Sequence, residues 1–168
     1  MATLVLAVDP GPTESAWALI SEPWNRPTIL QHAKEPTGSL LAKLRNRAWS
    51  DSPHVLVLEQ IQSYGKVAGR TLFDTAYVTG RLAEAYDQHY VGEVVLMPRR
   101  DVKLRLVGRA NSGDTDVRRA LLDIYGSPGT KTAPGALYGI RRDEWSALAL
   151  GWAYAHELRS RLVNVLAL

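Results

Sequence analysis

The 168 residues make one domain, 1–168, the default, with material for a substantial core. A composition of 46% hydrophobic and 22% charged residues excludes a disordered chain, and no apolar run nears the roughly 20 residues of a membrane-spanning helix. Zero cysteines exclude disulfides and thiolate metal sites and fit a reducing cytoplasm, while a net charge of +3 excludes little by itself.

The start, Met1-Ala2-Thr3-Leu4, lacks the basic region of a secretory signal and runs directly into an apolar stretch. Residues 3–9 read as a buried strand that Asp9 closes. The turn Asp9-Pro10-Gly11-Pro12 follows, and Ser15 to Ile20 reads as a second strand, giving a hairpin. Thr28 to Ala33 is a third strand, set off by Pro23 and Pro27. Ser39 can cap a short helix carrying Leu40, Leu41, Leu44 and Ala48. Residues 54–59 form a fourth strand, Val55-Leu56-Val57-Leu58, closed by Glu59.

After the loop Gln60 to Gly69 comes a helix of about 20 residues, with Leu72, Phe73, Ala76, Tyr77, Gly80, Ala83 and Ala85 on a wide face. Gly80 in its interior implies close approach of another element. Val94 to Met97 is a fifth strand stopped by Pro98, and 99–107 fits either a helix or a strand. Asp114 or Thr115 caps a helix with Val117, Ala120, Leu121 and Ile124 at helical spacing. Ser127 to Gly139 is a loop, Asp143 to Arg159 a final helix, and the tail Leu162–Leu168 fits no single reading. The order predicts a mixed α/β sheet, three antiparallel strands and then two parallel ones, with helices on its faces. That is the topology of the ribonuclease H-like fold.

The acids carry the chemistry. Acids are poor strand formers, and burying one without a partner is costly. Asp9 and Glu59 stand where buried strands emerge, and Asp143 opens a helix. Hydrolysis of a phosphodiester needs an activated water and neutralisation of the phosphate charge, which two divalent cations about 3.5–4 Å apart supply. Such hard cations select carboxylate oxygens. Without cations, mutual repulsion among three clustered acids raises some of their pKa values. Plainer readings stand beside this one, since Asp-Pro-Gly is common turn chemistry and an acid at a helix start is favoured by the dipole. Arg99, Arg100, Lys103, Arg105 and Arg109 crowd together, and Arg118-Arg119 and Arg141-Arg142 follow. Any one cluster reads as a solvated helix face, although the guanidinium fork also suits phosphate.

Several stretches together resemble the RuvC-type Holliday junction resolvases, in particular the shorter bacteriophage branch. They are Leu6-Ala7-Val8-Asp9-Pro10-Gly11, Glu59 to Gly65, Asp114 to Leu121, Gly129-Thr130-Lys131 with Gly135 to Gly139, and Asp143 to Ala149. The resemblance implies a homodimeric, Mg²⁺- or Mn²⁺-dependent endonuclease with two ions per site, cutting opposed strands of four-way and other branched DNA junctions. It further implies no membrane and no nucleotide cofactor, and metal ligands at Asp9, Glu59 and Asp143. The family commonly has a second ligand three residues into the last helix, where this chain has Ser146. Ser146, water or Asp114 could complete the set. Asp114 falls where the bacterial branch has lysine, and a helix cap is its plainer role. In the loop after Glu59 the family's junction-wedging aromatic position is Gln62, so Tyr64 becomes the candidate wedge. Lys66, Arg70, Lys131 and Arg118 are candidate DNA-binding residues, and helix 70–88 is the candidate dimer interface.

Two other enzyme readings and one binding reading compete. Asp9-Pro10-Gly11-Pro12-Thr13 before a second strand also resembles the phosphate loop of actin- and sugar-kinase-like ATPases, but their duplicated domain and second Asp-x-Gly loop are missing. A less selective ribonuclease H-like nuclease and a catalytically weak junction-binding protein are the remaining alternatives; Ser146 favours the last.

Overall fold

The computed structural model of the chain describes residues 3–63, 65, 67 and 69–166, without the side chains beyond 163. Five strands, β1 (Leu4–Asp9), β2 (Glu14–Ser21), β3 (Thr28–Pro36), β4 (Val55–Gln60) and β5 (Glu93–Pro98), form one sheet in the order β3-β2-β1-β4-β5. The helices are α1 (Thr37–Arg45), α2 (Arg70–His89), α3 (Arg99–Val107), α4 (Asp114–Tyr125) and α5 (Glu144–Leu166). β1 runs antiparallel to β2 and parallel to β4, and β4 runs parallel to β5. The predicted mixed sheet is therefore present.

β1 is the central strand, and Leu4 to Val8 are all buried. Alternation divides its side chains between two cores. Val5 and Ala7 join Val55, Val57 and Met97 under α3, α4 and α5, with Val102, Leu121 and Leu148 among the contributors. Leu4, Leu6 and Val8 join Leu56 and Leu58 under α1 and α2, with Leu40, Leu44, Val78, Leu82 and Tyr86. Helices thus cover both faces, which is why β1 and β4 read as continuous apolar runs.

α5 packs flush against the sheet because Gly151 faces it. A Cβ there would lie 3.0 Å from Ile20 Cδ1 and 3.1 Å from Ala7 Cβ. The helix also continues beyond Arg159, so residues 162–166 of the apolar tail belong to it.

Two element starts differ from the sequence expectation, and one open reading is decided. α1 begins at Thr37 with no side-chain cap, not at a Ser39 cap. Thr37 is held from outside, its amide bonding Thr13 O at 2.9 Å and its hydroxyl donating to Gly11 O at 2.8 Å. The segment 99–107 is a helix. In α4 the N-cap is Gly113, whose amide donates to the carboxylate of Asp116 in the first turn at 3.0 Å, and Asp114, already helical, binds Arg99 instead.

Candidate active site at the carboxyl edge of the sheet

Asp9 and Glu59 end parallel neighbours. The register pairs Val5 with Val55 and Val8 with Leu58, so both acids follow one step later on the α5 side of the sheet. The turn beyond Asp9 is locked. Ser15 Oγ accepts the Gly11 amide at 3.2 Å and shares a 2.8 Å hydrogen bond with Thr37 Oγ1, and both hydroxyl residues are buried. The Gly11 amide, which a phosphate loop would turn toward a nucleotide, is thereby taken.

Asp143 arrives from the other side, just before α5. The first turn of that helix is anchored by Glu144, whose carboxylate accepts the Arg141 amide at 2.6 Å and lies 3.1 Å from His32 Nδ1. Arg142 adopts a positive φ of 46° to make the turn, a conformation costing roughly 1 kcal/mol or more for a residue with a side chain.

The Asp9 carboxyl is pushed up to about 7. Burial is the chief cause, the charges of Glu59 and Asp143 add to it, and Arg99 and the Ser146 hydroxyl oppose it. Burial also raises Glu59, against the pull of Arg99 and Lys103. Asp9 has no ion-pair partner among the described residues, whereas its neighbours do. Glu59 Oε2 accepts Arg99 Nη1 at 3.0 Å, and Asp143 Oδ2 meets Lys34 Nζ at 2.8 Å. Lys34 reaches across because it shares the Ala16 register position with Asp9 from the far side of β2.

The three acids therefore act on one another without closing up: among the described residues, no three His, Asp or Glu side chains stand close enough to hold an ion together. Of the other site expectations, Ser146 and Asp114 join the acids through Arg99, whereas Lys131 and Arg70 lie in exposed segments. Ser146 Oγ accepts Arg99 Nη1 at 3.2 Å, and Asp114 Oδ1 accepts Arg99 Nη2 at 2.7 Å. Arg118 stacks on Trp145, 4.9 Å from its ring centre, in a groove of about 410 Å³ that Arg99, Arg142, Asp143 and Ser146 also line. Lys131 is exposed in the loop closed by the Gly129–Pro134 bridge, and Arg70 is exposed beside Asp74 at the start of α2. Tyr64 and Lys66 lie outside the described residues.

Arg99 and Lys34 are the residues at this site that sequence reasoning missed. A signal existed for Arg99: it follows β5, whose Met97 pairs with Glu59, so it had to emerge at the same sheet edge. Lys34 carried no such signal, since its place depends on the β2–β3 register.

No protein-family model matches the sequence, and no curated protein matches it. Solved structures do. The Thermus thermophilus RuvC structure aligns with a TM-score of 0.71 at 17% identity, over 94% of this chain and 96% of that one. T. thermophilus RuvC in complex with Holliday junction substrate gives 0.72 at 19% identity over the same shares. This chain has the RuvC fold. The yeast mitochondrial Holliday junction resolvase Ydc2 is more distant, at 0.61 and 14% identity over 90% of this chain and 77% of that one. In this chain the ends of the parallel strands β1 and β4 and the start of α5 meet at one edge of the sheet. The fold is α/β and ribonuclease H-like, in agreement with the predicted element order.

Proposed function

We propose that this chain is a divalent-metal-dependent endonuclease that resolves four-way DNA junctions by paired strand cleavage as a homodimer. One observation carries the reading: the half-buried Asp9 carboxylate has no ion-pair partner among the described residues and is flanked by Glu59 and Asp143. A half-buried carboxylate without a counter-charge, beside two further acids, fits a hard cation, and the donors are all oxygen. Asp9, Glu59 and Asp143 would hold Mg²⁺ or Mn²⁺, with water completing the shell. When bound, such an ion would supply an activated water and charge neutralisation at the phosphate.

The chain's own residues do the rest. Glu144 and His32 orient the first turn of α5, and so the Asp143 carboxylate. Ser15 and Thr37 hold the turn that aims Asp9. Arg100 and Lys103, in a groove of about 460 Å³ with Ala110 and Asn111, and Arg118 and Arg142 on the other side of Arg99, provide cations for the phosphates of both flanking strands.

The homodimer rests on α2. Its core face is Thr75, Val78, Leu82, Ala85 and Tyr86. Phe73, Ala76, Tyr77 and Gly80 of the expected apolar face point outward instead, with Phe73 62% and Tyr77 68% exposed. Among the described residues, nothing beyond the backbone of its own turns lies within 4 Å of a Cβ built at Gly80, so the close approach it permits is left for a second copy. An isologous pair would put one site on each of two opposed strands of a two-fold junction.

The test is a labelled four-way junction beside duplex of the same sequence, titrated with Mg²⁺ and then with EDTA. Paired, symmetric, metal-dependent cuts at the junction are expected. Equal cutting of duplex would favour a less selective ribonuclease H-like nuclease. Tight uncut complexes at every metal concentration would favour a catalytically weak binder, the reading that the serine at position 146 supports.

A further inference from the structure

Two open grooves meet beside the acids, and Arg99 lines both. In one, of about 460 Å³, stand Arg100 and Lys103. In the other, of about 410 Å³, stand Arg118 and Arg142. That second groove also holds two carboxylates, Asp143, which Lys34 pairs, and Asp114, which Arg99 and Lys103 pair. A DNA strand laid from one groove into the other crosses Arg99.

A guanidinium carries a permanent charge and five N–H donors. Inside the protein Nη1 donates to Glu59 at 3.0 Å and to Ser146 at 3.2 Å, and Nη2 donates to Asp114 at 2.7 Å. These partners belong to β4, α5 and α4, so the plane of the group is held from three elements. Nε–H and the second hydrogen of Nη2 have no partner among the described residues. The side chain is 32% exposed, and Nε is not among the buried nitrogens left unpaired, so solvent reaches it. Two donors on one carbon of a rigid, charged plane fit two oxygens of a phosphate, which a lysine would meet only as a point charge. Asp114 is 79% exposed and supports no core residue. Its contacts are to Arg99 and, at 3.8 Å, to Lys103.

We propose that Arg99 grips the phosphate of the linkage to be cut, through Nε–H and the free Nη2–H, and that Asp114 is the positioning residue that keeps those donors turned to the DNA. This deepens the nuclease reading above and rests on it. The bonds to Glu59 and Ser146 put the guanidinium among the acids, so the phosphate it takes lies over them. Arg100 and Lys103 then meet phosphates to one side of the cut, and Arg118 and Arg142 to the other.

The test measures binding in EDTA, so that cleavage does not intervene. Four-way junctions carry one uncharged methylphosphonate in place of one phosphate, moved linkage by linkage through the crossover. Neutralising the linkage that Arg99 holds is expected to weaken wild-type binding about tenfold. Arg99→Gln should weaken binding of the unmodified junction by a like factor and make that one linkage insensitive, while the flanking linkages keep their effect. Arg99→Lys should restore part of the sensitivity, and Asp114→Asn should reduce it at the same linkage and no other. The sensitive linkage should be the one that wild type cuts in Mg²⁺. A Gln variant with the wild-type profile, or with its loss spread evenly over all linkages, overturns the proposal and leaves junction resolution standing. Coupling at a linkage other than the one cut does the same. Wild type that binds no junction overturns both readings; wild type that shows the coupling and never cuts overturns cleavage and keeps the Arg99 contact. Should Arg99→Gln lose its circular-dichroism signature, Asp114→Asn decides: unaltered sensitivity overturns the proposal, and selective loss supports it.

Discussion

At Asp9, pH dependence and the proposed metal dependence meet. Its folded pKa of about 7 lies above the ordinary 3.8, so the folded protein holds this proton over a range where the unfolded chain has lost it. The associated stability is fully present below about pH 4 and is lost as pH rises through about 7. Asp9→Asn should therefore stabilise the metal-free protein by about 2–4 kcal/mol near pH 8, the gain shrinking to nothing near pH 4. Urea unfolding in EDTA across this range checks it, and a variant less stable than wild type at the alkaline end would contradict the environment assigned to Asp9. The same proton must leave when an ion binds, so Mn²⁺ affinity should rise steeply between about pH 6 and 8. Calorimetry in buffers of different ionisation heat reads the released proton directly. In cleavage assays the Asn variant should lose activity while keeping junction affinity.

The elements that matter most are β1 and α5, since one carries Asp9 and the other follows Asp143 and carries Ser146. Their separation is set by Gly151 against Ala7 and Ile20. Gly151→Leu should cost about 1–3 kcal/mol by overpacking, and it should depress cleavage beyond that loss because the start of α5 moves with its body. A shift in urea midpoint together with weakened Mn²⁺ binding is the expected pair of readouts. A variant with normal metal binding would mean the first turn is positioned independently, by Glu144 and His32. Removing that anchor with Glu144→Ala should cost about 1–3 kcal/mol, because the Arg141 amide and His32 are left without their acceptor.

For the whole molecule, the outward stripe of α2 and the two basic grooves have different consequences. Phe73→Glu with Tyr77→Glu should give a folded monomer by sedimentation, since neither residue contributes to the core. Such a monomer should lose paired cleavage and retain single nicks. Unchanged sedimentation would remove α2 as the interface. Junction affinity should fall steeply with salt, the slope reporting the number of phosphates neutralised. Neutralising Arg118 should reduce that slope by about one.

Much of this was legible in the residues alone. The apolar runs ending in Asp9 and Glu59 defined two buried strands and marked the edge where they emerge, because period and burial act within one element. The element order was enough for the fold. Tertiary structure decided what one segment cannot encode: that Glu59 meets Arg99, forty positions away, that Lys34 takes Asp143, and that the apolar face of α2 divides between core and surface. Each depends on strand order and register, which bring distant chain segments together. A charge acts through space, and its partner is chosen by the sheet.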